Sequence, residues 1–263
     1  MYAKHIEPHR LEINQVPVRK HGLPKGLSGL KIVQFSDTHI GFQYGLKELE
    51  KHIQTINDLQ PDIICFTGDL LDEPHTFSTP DLIVPILQQL NAPFGKFAVY
   101  GNHDHGGNGT RLYKSIMEKS GFQVLLNTNK RISLPDGSLL YIAGIDDAML
   151  GRPDISASMK EIPDHAFTII LSHAPDLADS ISGQSTASMQ LSGHSHGGQV
   201  QLPWLGPLIT PPYGSKYLEG SYQVSANHPL ELYVNRGLGT TRMPLRFGSI
   251  PEITLFTLQG ENT

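Results

Sequence analysis

Five short blocks of the chain concentrate side chains able to ligate a cation. In order they are Asp37-Thr38-His39 in FSDTHIG, Gly68-Asp69 in FTGDLLD, Gly101-Asn102-His103-Asp104, Ser172-His173 in LSHAPD, and Gly193-His194-Ser195-His196-Gly197. Residues two apart on an extended segment point to the same face, so Asp37 with His39, and His194 with His196, are each able to grip one ion. Asp69 has two carboxylate oxygens and is able to bridge two cations, and Asn102 offers a neutral carbonyl oxygen. Gly193, Gly197 and Gly198 let the backbone bend sharply beside the imidazoles. Singly the blocks say little: Asp-x-His is common, Gly-Asp is ordinary turn chemistry, and a lone Ser-His is by default a core or surface histidine. Together, in this order and mostly just after a short apolar run, they supply enough Asp, Asn and His for two adjacent metal sites.

A donor set of nitrogen and oxygen alone suits Mn(II), with Fe, Zn or Co as alternatives, and disfavours Cu(I) or iron–sulfur. Two divalent ions held by only two carboxylates leave an electropositive pocket able to hold a bridging hydroxide and a phosphate anion. Such a pair activates the attacking water and clamps the phosphoryl oxygens during in-line displacement. His103 follows a ligand without needing to be one. Asp104 beside it is expected to orient the imidazole and favour its protonated form, for transition-state stabilisation or protonation of the leaving oxygen.

These groups must be positioned by the elements around them. Leu11 to Arg19 alternates like an edge strand interrupted by Pro17. Lys31 to Ser36, Asp62 to Thr67 and Lys96 to Tyr100 read as strands. Leu46, Leu49, Ile53, Ile56 and Leu59 mark one face of a helix over 45–60, stopped by Pro61. A second helix is predicted over 79–90, with Pro85 set to kink or shorten it, and a third over 110–120. The remainder is strand-rich: 124–126, 131–134, 139–143, 167–171, 189–191, 199–202, 230–234 and 252–258, with Pro135-Asp136-Gly137 a hairpin turn. The pattern predicts an α/β protein, a four-layer α/β/β/α sandwich of two mixed β-sheets flanked by helices. With no repeat or long linker, one domain over 1–263 is expected, residues 1–28 being an N-terminal arm and edge strand.

The chain has 263 residues and a formal net charge of -5. That mild acidity argues against nucleic-acid binding, which needs a basic stripe. The single cysteine, Cys65, rules out an intrachain disulfide framework or a multi-thiolate zinc site and reads as a small buried hydrophobe. Of the 13 histidines, His5, His9, His21, His52, His75, His165 and His228 stand in polar or loop contexts and read as surface residues. No apolar stretch is long enough to span a bilayer.

The blocks resemble those of the calcineurin-like metallophosphoesterase superfamily, from about Leu30 to Leu258. The segments GHSHGGQVQLPWLGPLITPPYG, YVNRGLGTTRMPLRF and PEITLFTL are similar to the bacterial YkuE/YaeI-type phosphodiesterase branch, related to enzymes that cleave UDP-diacylglucosamine. The resemblance implies that Asp37, His39 and His196 hold a first metal, that Asn102, His173 and His194 hold a second, and that Asp69 bridges. It makes His103 the catalytic histidine with Asp104 its partner. The expected activity is phosphodiester hydrolysis, with glycolipid pyrophosphate cleavage as a second enzymatic reading and a catalytically silent metal-binding scaffold as a reading of another class.

Arg236, Arg242 and Arg246 lie in glycine- and proline-rich loops and are candidates for bidentate phosphate contacts; surface salt bridging is their simpler use. His105 is a candidate pocket residue. Asp146 and Asp147, after a strand, are candidates for a substrate loop or for helix capping. The apolar, turn-rich stretch Leu202 to Ile209 is either packed inside or forms a lip for a lipid substituent. The expected partner is a phosphoester substrate, lipid- or cell-wall-linked in one version, with peripheral membrane or envelope association; a monomer is expected. Proteins of this branch often carry an anchor or export signal just before a segment like Tyr2 to Pro8. The expected location is therefore cytoplasmic if the chain starts natively here, and membrane- or cell-wall-associated if such a segment was trimmed.

Overall fold

A computed structural model describes residues 1–261. The strands in chain order are β1 (Glu12–His21), β2 (Lys31–Phe35), β3 (Ile63–Phe66), β4 (Lys96–Ala98), β5 (Phe122–Val124), β6 (Thr128–Ser133), β7 (Leu139–Gly144), β8 (Thr168–Leu171), β9 (Met189–Ser192), β10 (Gln201–Leu202), β11 (Gly206–Pro207), β12 (Gly220–Ser225), β13 (Pro229–Val234) and β14 (Glu252–Glu261). The helices are α1 (Tyr2–His5), α2 (Leu46–Asp58), α3 (Ile83–Leu87), α4 (Asn102–His105), α5 (Thr110–Lys119), α6 (Ile155–Ser158) and α7 (Ala178–Gln184).

One sheet has the order β1-β14-β2-β3-β4-β5 and the other β12-β13-β9-β8-β7-β6, while β10 and β11 form a separate hairpin. Both sheets are mixed: β2 to β5 and β7 to β9 are parallel runs, with antiparallel pairing at β14–β2, β6–β7 and β12–β13. The sheets face one another across a core that includes Ile32, Ile63, Cys65, Phe97, Ile142, Ile169, Leu171 and Leu191. Outside the first sheet, Val33, Ile64 and Phe66 pack on Leu49, Ile53 and Ile56 of α2 and on Ile116 and Met117 of α5. Outside the second, Ala143, Ile170, Leu232 and Val234 pack on Ile155 of α6 and Ile181 of α7. The layers are thus helices, sheet, sheet, helices, as expected.

Burial on both faces explains why the central strands read as continuous apolar runs. In β3, Ile63 and Cys65 belong to the inter-sheet core while Ile64 and Phe66 meet the helices. Each large apolar side chain so buried contributes about 1.5–3 kcal/mol. The edge strand β1 pairs in parallel with β14 alone, which tolerates Pro17 inside it.

Some expectations are corrected. The helix over 79–90 is cut to a 3-10 turn, Pro80–Leu82, followed by α3, because Pro85 lacks a donor for a longer ladder. The strand at 124–126 lies earlier, at Phe122–Val124, and that at 199–202 shrinks to Gln201–Leu202. His52 is not at the surface: it is buried, and its Nδ1 lies 2.7 Å from the Tyr44 hydroxyl.

Three strand ends of the first sheet and three of the second lead directly into the candidate residues. Asp37 follows β2, Asp69 follows β3 and Asn102 follows β4; His173 follows β8, His194 follows β9 and Arg236 follows β13. Carboxyl ends of parallel strands are where open α/β sheets present their sites.

Candidate metal centre

The turns after these strands are sharply bent. Asp37, His39, Asp69, His194 and His196 all have positive φ, between 43° and 72°. Non-glycine residues rarely adopt this conformation, which costs on the order of 1–3 kcal/mol per residue and persists where surrounding structure enforces it. Neighbouring backbone must come very close. A Cβ on Gly68 (φ 98°) would sit 2.6 Å from the Gly101 nitrogen and 2.8 Å from His173 Nδ1. Only glycine fits there.

The bends gather donors from both sheets. The ligand atoms of Asp37, His39 and His196 lie within 4.8 Å of one another, as do those of Asp69, His173 and His194. Asp69 joins the two groups: its Oδ2 is 3.5 Å from His39 Nε2 and 3.3 Å from His173 Nε2. Its other oxygen, Oδ1, accepts the His103 backbone N–H at 2.8 Å, which fixes the carboxylate plane. Asp37 accepts the His194 backbone N–H at 3.1 Å. The Asn102 side-chain oxygen lines the same cavity, buried and without a hydrogen-bond partner among the described residues.

Hydrogen bonds on the far side of the rings set where each lone pair points. His173 Nδ1 donates to the Thr67 carbonyl at 2.7 Å, leaving Nε2 inward. His194 Nε2 donates to the Pro212 carbonyl at 2.8 Å, leaving Nδ1 inward. These two inward nitrogens face each other at 3.1 Å. Two neutral imidazoles so arranged oppose their lone pairs, and only a shared proton or a cation relieves that. The orphaned Asn102 oxygen beside them makes the same demand. The donor set therefore fits a divalent ion.

The charges agree with this reading. Burial works against the Asp69 carboxylate, but His173, His103 and His39 around it prevail and hold it well below the usual range. Burial also opposes a charge on His173, yet Asp69 outweighs it and raises that pKa well above the ordinary value. Burial, then the His173 charge, lowers His194 to about 4. Burial, with His39 and Arg246, keeps His196 neutral. An ionised Asp69 beside neutral His194 and His196 is the state that metal binding requires, and a cation would displace the His173 proton.

His103 lies at the edge of the cluster, its ring edge-on to that of His39 at 4.6 Å. Its Nδ1 is 2.6 Å from the Asp72 carbonyl and 3.8 Å from the Asp72 carboxylate, which also stands 3.2 Å from His39 Nδ1. Burial opposes its charge, but Asp69 and Asp72 outweigh burial and raise its pKa. Asp72, not Asp104, is thus the group that orients His103, while the charge of Asp104 adds to the rise in its pKa as expected. Asp104 sits at the third position of α4 and turns back to accept the backbone N–H groups of Gly101, Asp69 and Leu70 at 2.8–3.0 Å. Its work is to tie the Asp69 turn to the Asn102 turn.

The other candidates separate clearly. Arg236 is occupied by Glu12 and Glu252, each at 2.7 Å, with Glu219 at 3.7 Å. Arg246 is fully buried and donates to the carbonyls of Arg236, Gly239 and Ser249, with a longer 3.3 Å contact to His196 Nδ1. Neither is placed to receive a substrate phosphate. His105 is held by Asp146 at 2.7 Å and Thr110 at 3.0 Å and stacks on Tyr100, away from the cavity lining. Asp146 and Asp147 brace the loop after β7 by accepting backbone N–H groups of Arg152, Met149 and Leu150. Arg242 alone of the four lines the cavity, with Met149, Ile209, Pro211 and Met243, and has no hydrogen-bond partner among the described residues.

Comparison with known proteins places this site in a family. The calcineurin-like phosphoesterase model matches residues 30–198. The uncharacterised metallophosphoesterase YkuE of Bacillus subtilis is 49% identical over 99% of this chain and 90% of its own length. The UDP-2,3-diacylglucosamine pyrophosphatase LpxG of Chlamydia trachomatis is 31% identical over 97% of this chain and 91% of its own. A transmembrane protein with metallophosphoesterase domain from Danio rerio is 30% identical over 96% of this chain, which spans 58% of that protein. The chain belongs to the calcineurin-like phosphoesterase family. It is a metallophosphoesterase, of the hydrolase class, with His and Asp clusters suited to divalent ions.

Proposed function

We propose that the protein is a phosphodiesterase with a dinuclear metal centre. Asp37, His39 and His196 would hold one ion, Asn102, His173 and His194 the other, and Asp69 would bridge them. The observation that carries the reading is the position of Asp69 Oδ2 between His39 and His173, with an opposed pair of inward imidazole nitrogens beside it. Two bound ions supply an activated water and a clamp on phosphoryl oxygens.

The chain's own residues do the rest. His103, raised in pKa and with Nδ1 engaged by Asp72, presents Nε2 as a proton donor to the leaving oxygen. Arg242 meets a non-bridging oxygen or a second phosphate at the rim. Met149, Ile209, Pro211 and Met243 exclude water from one side of the cavity. That apolar wall favours a second substrate reading, cleavage of a glycolipid pyrophosphate, the activity named for the Chlamydia trachomatis relative.

The test is a panel of phosphomonoesters, phosphodiesters and an acylated sugar nucleotide, each assayed with Mn(II), Fe(II), Zn(II) and Co(II). Diester cleavage that exceeds monoester cleavage supports the reading. Turnover of the acylated nucleotide alone moves the assignment to the pyrophosphatase. No turnover of any ester, in a protein that binds metal, leaves a silent scaffold.

A further inference from the structure

Just beyond His196 the chain runs outward as the hairpin β10–β11. Trp204 and Leu205, which connect its strands, are 103% and 80% exposed. Leu208 and Ile209, directly after β11, are also exposed, as is Tyr213 further along the chain. Surfaces of soluble proteins scatter single apolar side chains. A projecting loop that carries this many large ones in one short stretch is a patch built to meet something.

Two relationships identify what it meets. The patch is continuous with the mouth of the cavity, because Ile209 is exposed and also lines the cavity with Pro211, Met149 and Met243. A protein partner or a second copy seated on this patch would close the route to the metal cluster. A lipid surface covers the loop and delivers an amphiphile along the same apolar wall. The second relationship is at the hairpin's base. Val200 bridges to Phe247, Gln201 N–H donates to the Phe247 carbonyl at 2.7 Å, and the Phe247 ring meets Tyr2 edge-on at 6.5 Å. The N-terminal arm so attached carries exposed Met1, Tyr2 and Ile6 with Lys4 and Arg10 among them. Apolar side chains interspersed with cations suit the headgroup region of a bilayer. A tryptophan at a tip, apolar with one N–H donor, suits the same depth.

We propose that residues 201–209 dock the protein on a lipid bilayer, with the Trp204–Leu205 tip inserted at the headgroup–acyl boundary and the cavity mouth turned toward the membrane. That the membrane supplies a lipid-linked substrate rests on the phosphoesterase reading above; the docking itself does not.

Trp204 is the chain's one tryptophan, so its emission reports the tip directly. Titration with vesicles of phosphatidylcholine containing phosphatidylglycerol is expected to blue-shift that emission, and brominated acyl chains are expected to quench it. The variant Trp204→Ser/Leu205→Ser, followed by co-sedimentation, is expected to lose at least about tenfold in vesicle partitioning, with hydrolysis of a small soluble diester unchanged. Emission that stays unshifted and unquenched at high lipid overturns the proposal. So does a blue shift that depends on protein concentration without lipid, with a dimer in sedimentation, which assigns the patch to a second copy. Failure to cleave the soluble diester would sink the phosphoesterase reading instead and leave the docking result standing.

Discussion

Asp69 Oδ2 lies 3.3 Å from His173 Nε2, and the two residues come from strand ends in different sheets. This contact is where candidate donors from the two halves of the sandwich meet. Asp69→Asn keeps the size and replaces one carboxylate oxygen by an amide NH2. Hydrolysis is expected to fall by more than about 100-fold, since even outer partners of metal ligands cost about 10–100-fold when removed. The bound-metal content should fall with it while the circular dichroism spectrum stays unchanged. Undiminished turnover by this variant would deny Asp69 a bridging role.

His103 contributes its ring and its backbone N–H separately. His103→Ala removes the ring, while the N–H that holds Asp69 Oδ1 at 2.8 Å remains. The expected result is a drop in kcat of about 10²–10⁴-fold at unchanged metal stoichiometry, measured on a chromogenic phosphodiester. A variant as active as the parent would mean that the ring takes no part in the chemistry.

Two of the loop arginines, Arg242 and Arg246, should behave differently. Arg242→Ala is expected to raise KM by about tenfold, the value of one charge-assisted contact, with little change in melting temperature. Arg246→Met removes a buried cation that binds three backbone carbonyls. It should cost about 3 kcal/mol of stability, read by chemical denaturation. Equal effects of both variants on stability would contradict the placement of Arg242 at the cavity rim.

His52 supplies a pH test away from the His and Asp cluster. Burial, then the Lys51 charge, lowers its pKa from 6.5 to about 4. Between those values the unfolded chain binds a proton that the folded one refuses, so this group makes stability rise with pH across the window and fall on acidification. His52→Gln removes that proton uptake. From pH 7 to pH 4.5 the parent should lose on the order of 2 kcal/mol more than the variant. Parallel losses in urea titrations would show that His52 is not held neutral.

The blocks of candidate donors were legible because most of them follow a short, apolar strand adjacent in sequence. The layered fold followed from the same runs, since strands covered on both faces carry little polar punctuation. What escaped depends on distant partners. Arg236 resembles Arg242 in composition and context, and only its pairing with Glu12 and Glu252 separates them. Asp72 was missed although it stands three residues after Asp69 in the same block; its role appears only when its carbonyl meets His103. Asp104 carried a readable signal, because Gly101-x-x-Asp104 has the spacing of a helix-capping box. His52 looked solvated amid Glu48, Glu50 and Lys51, yet its helical position turns it toward Tyr44. The strand β12 and the helix α7 have weak periodicity and take their form from packing against β13.

Metal content tests the central claim most directly. Protein stripped with chelator and then reloaded with Mn(II) should bind two ions per chain by elemental analysis, and phosphodiester cleavage should return as they bind. A stripped protein that binds no divalent ion, or that cleaves the ester as fast without metal as with it, would contradict the account.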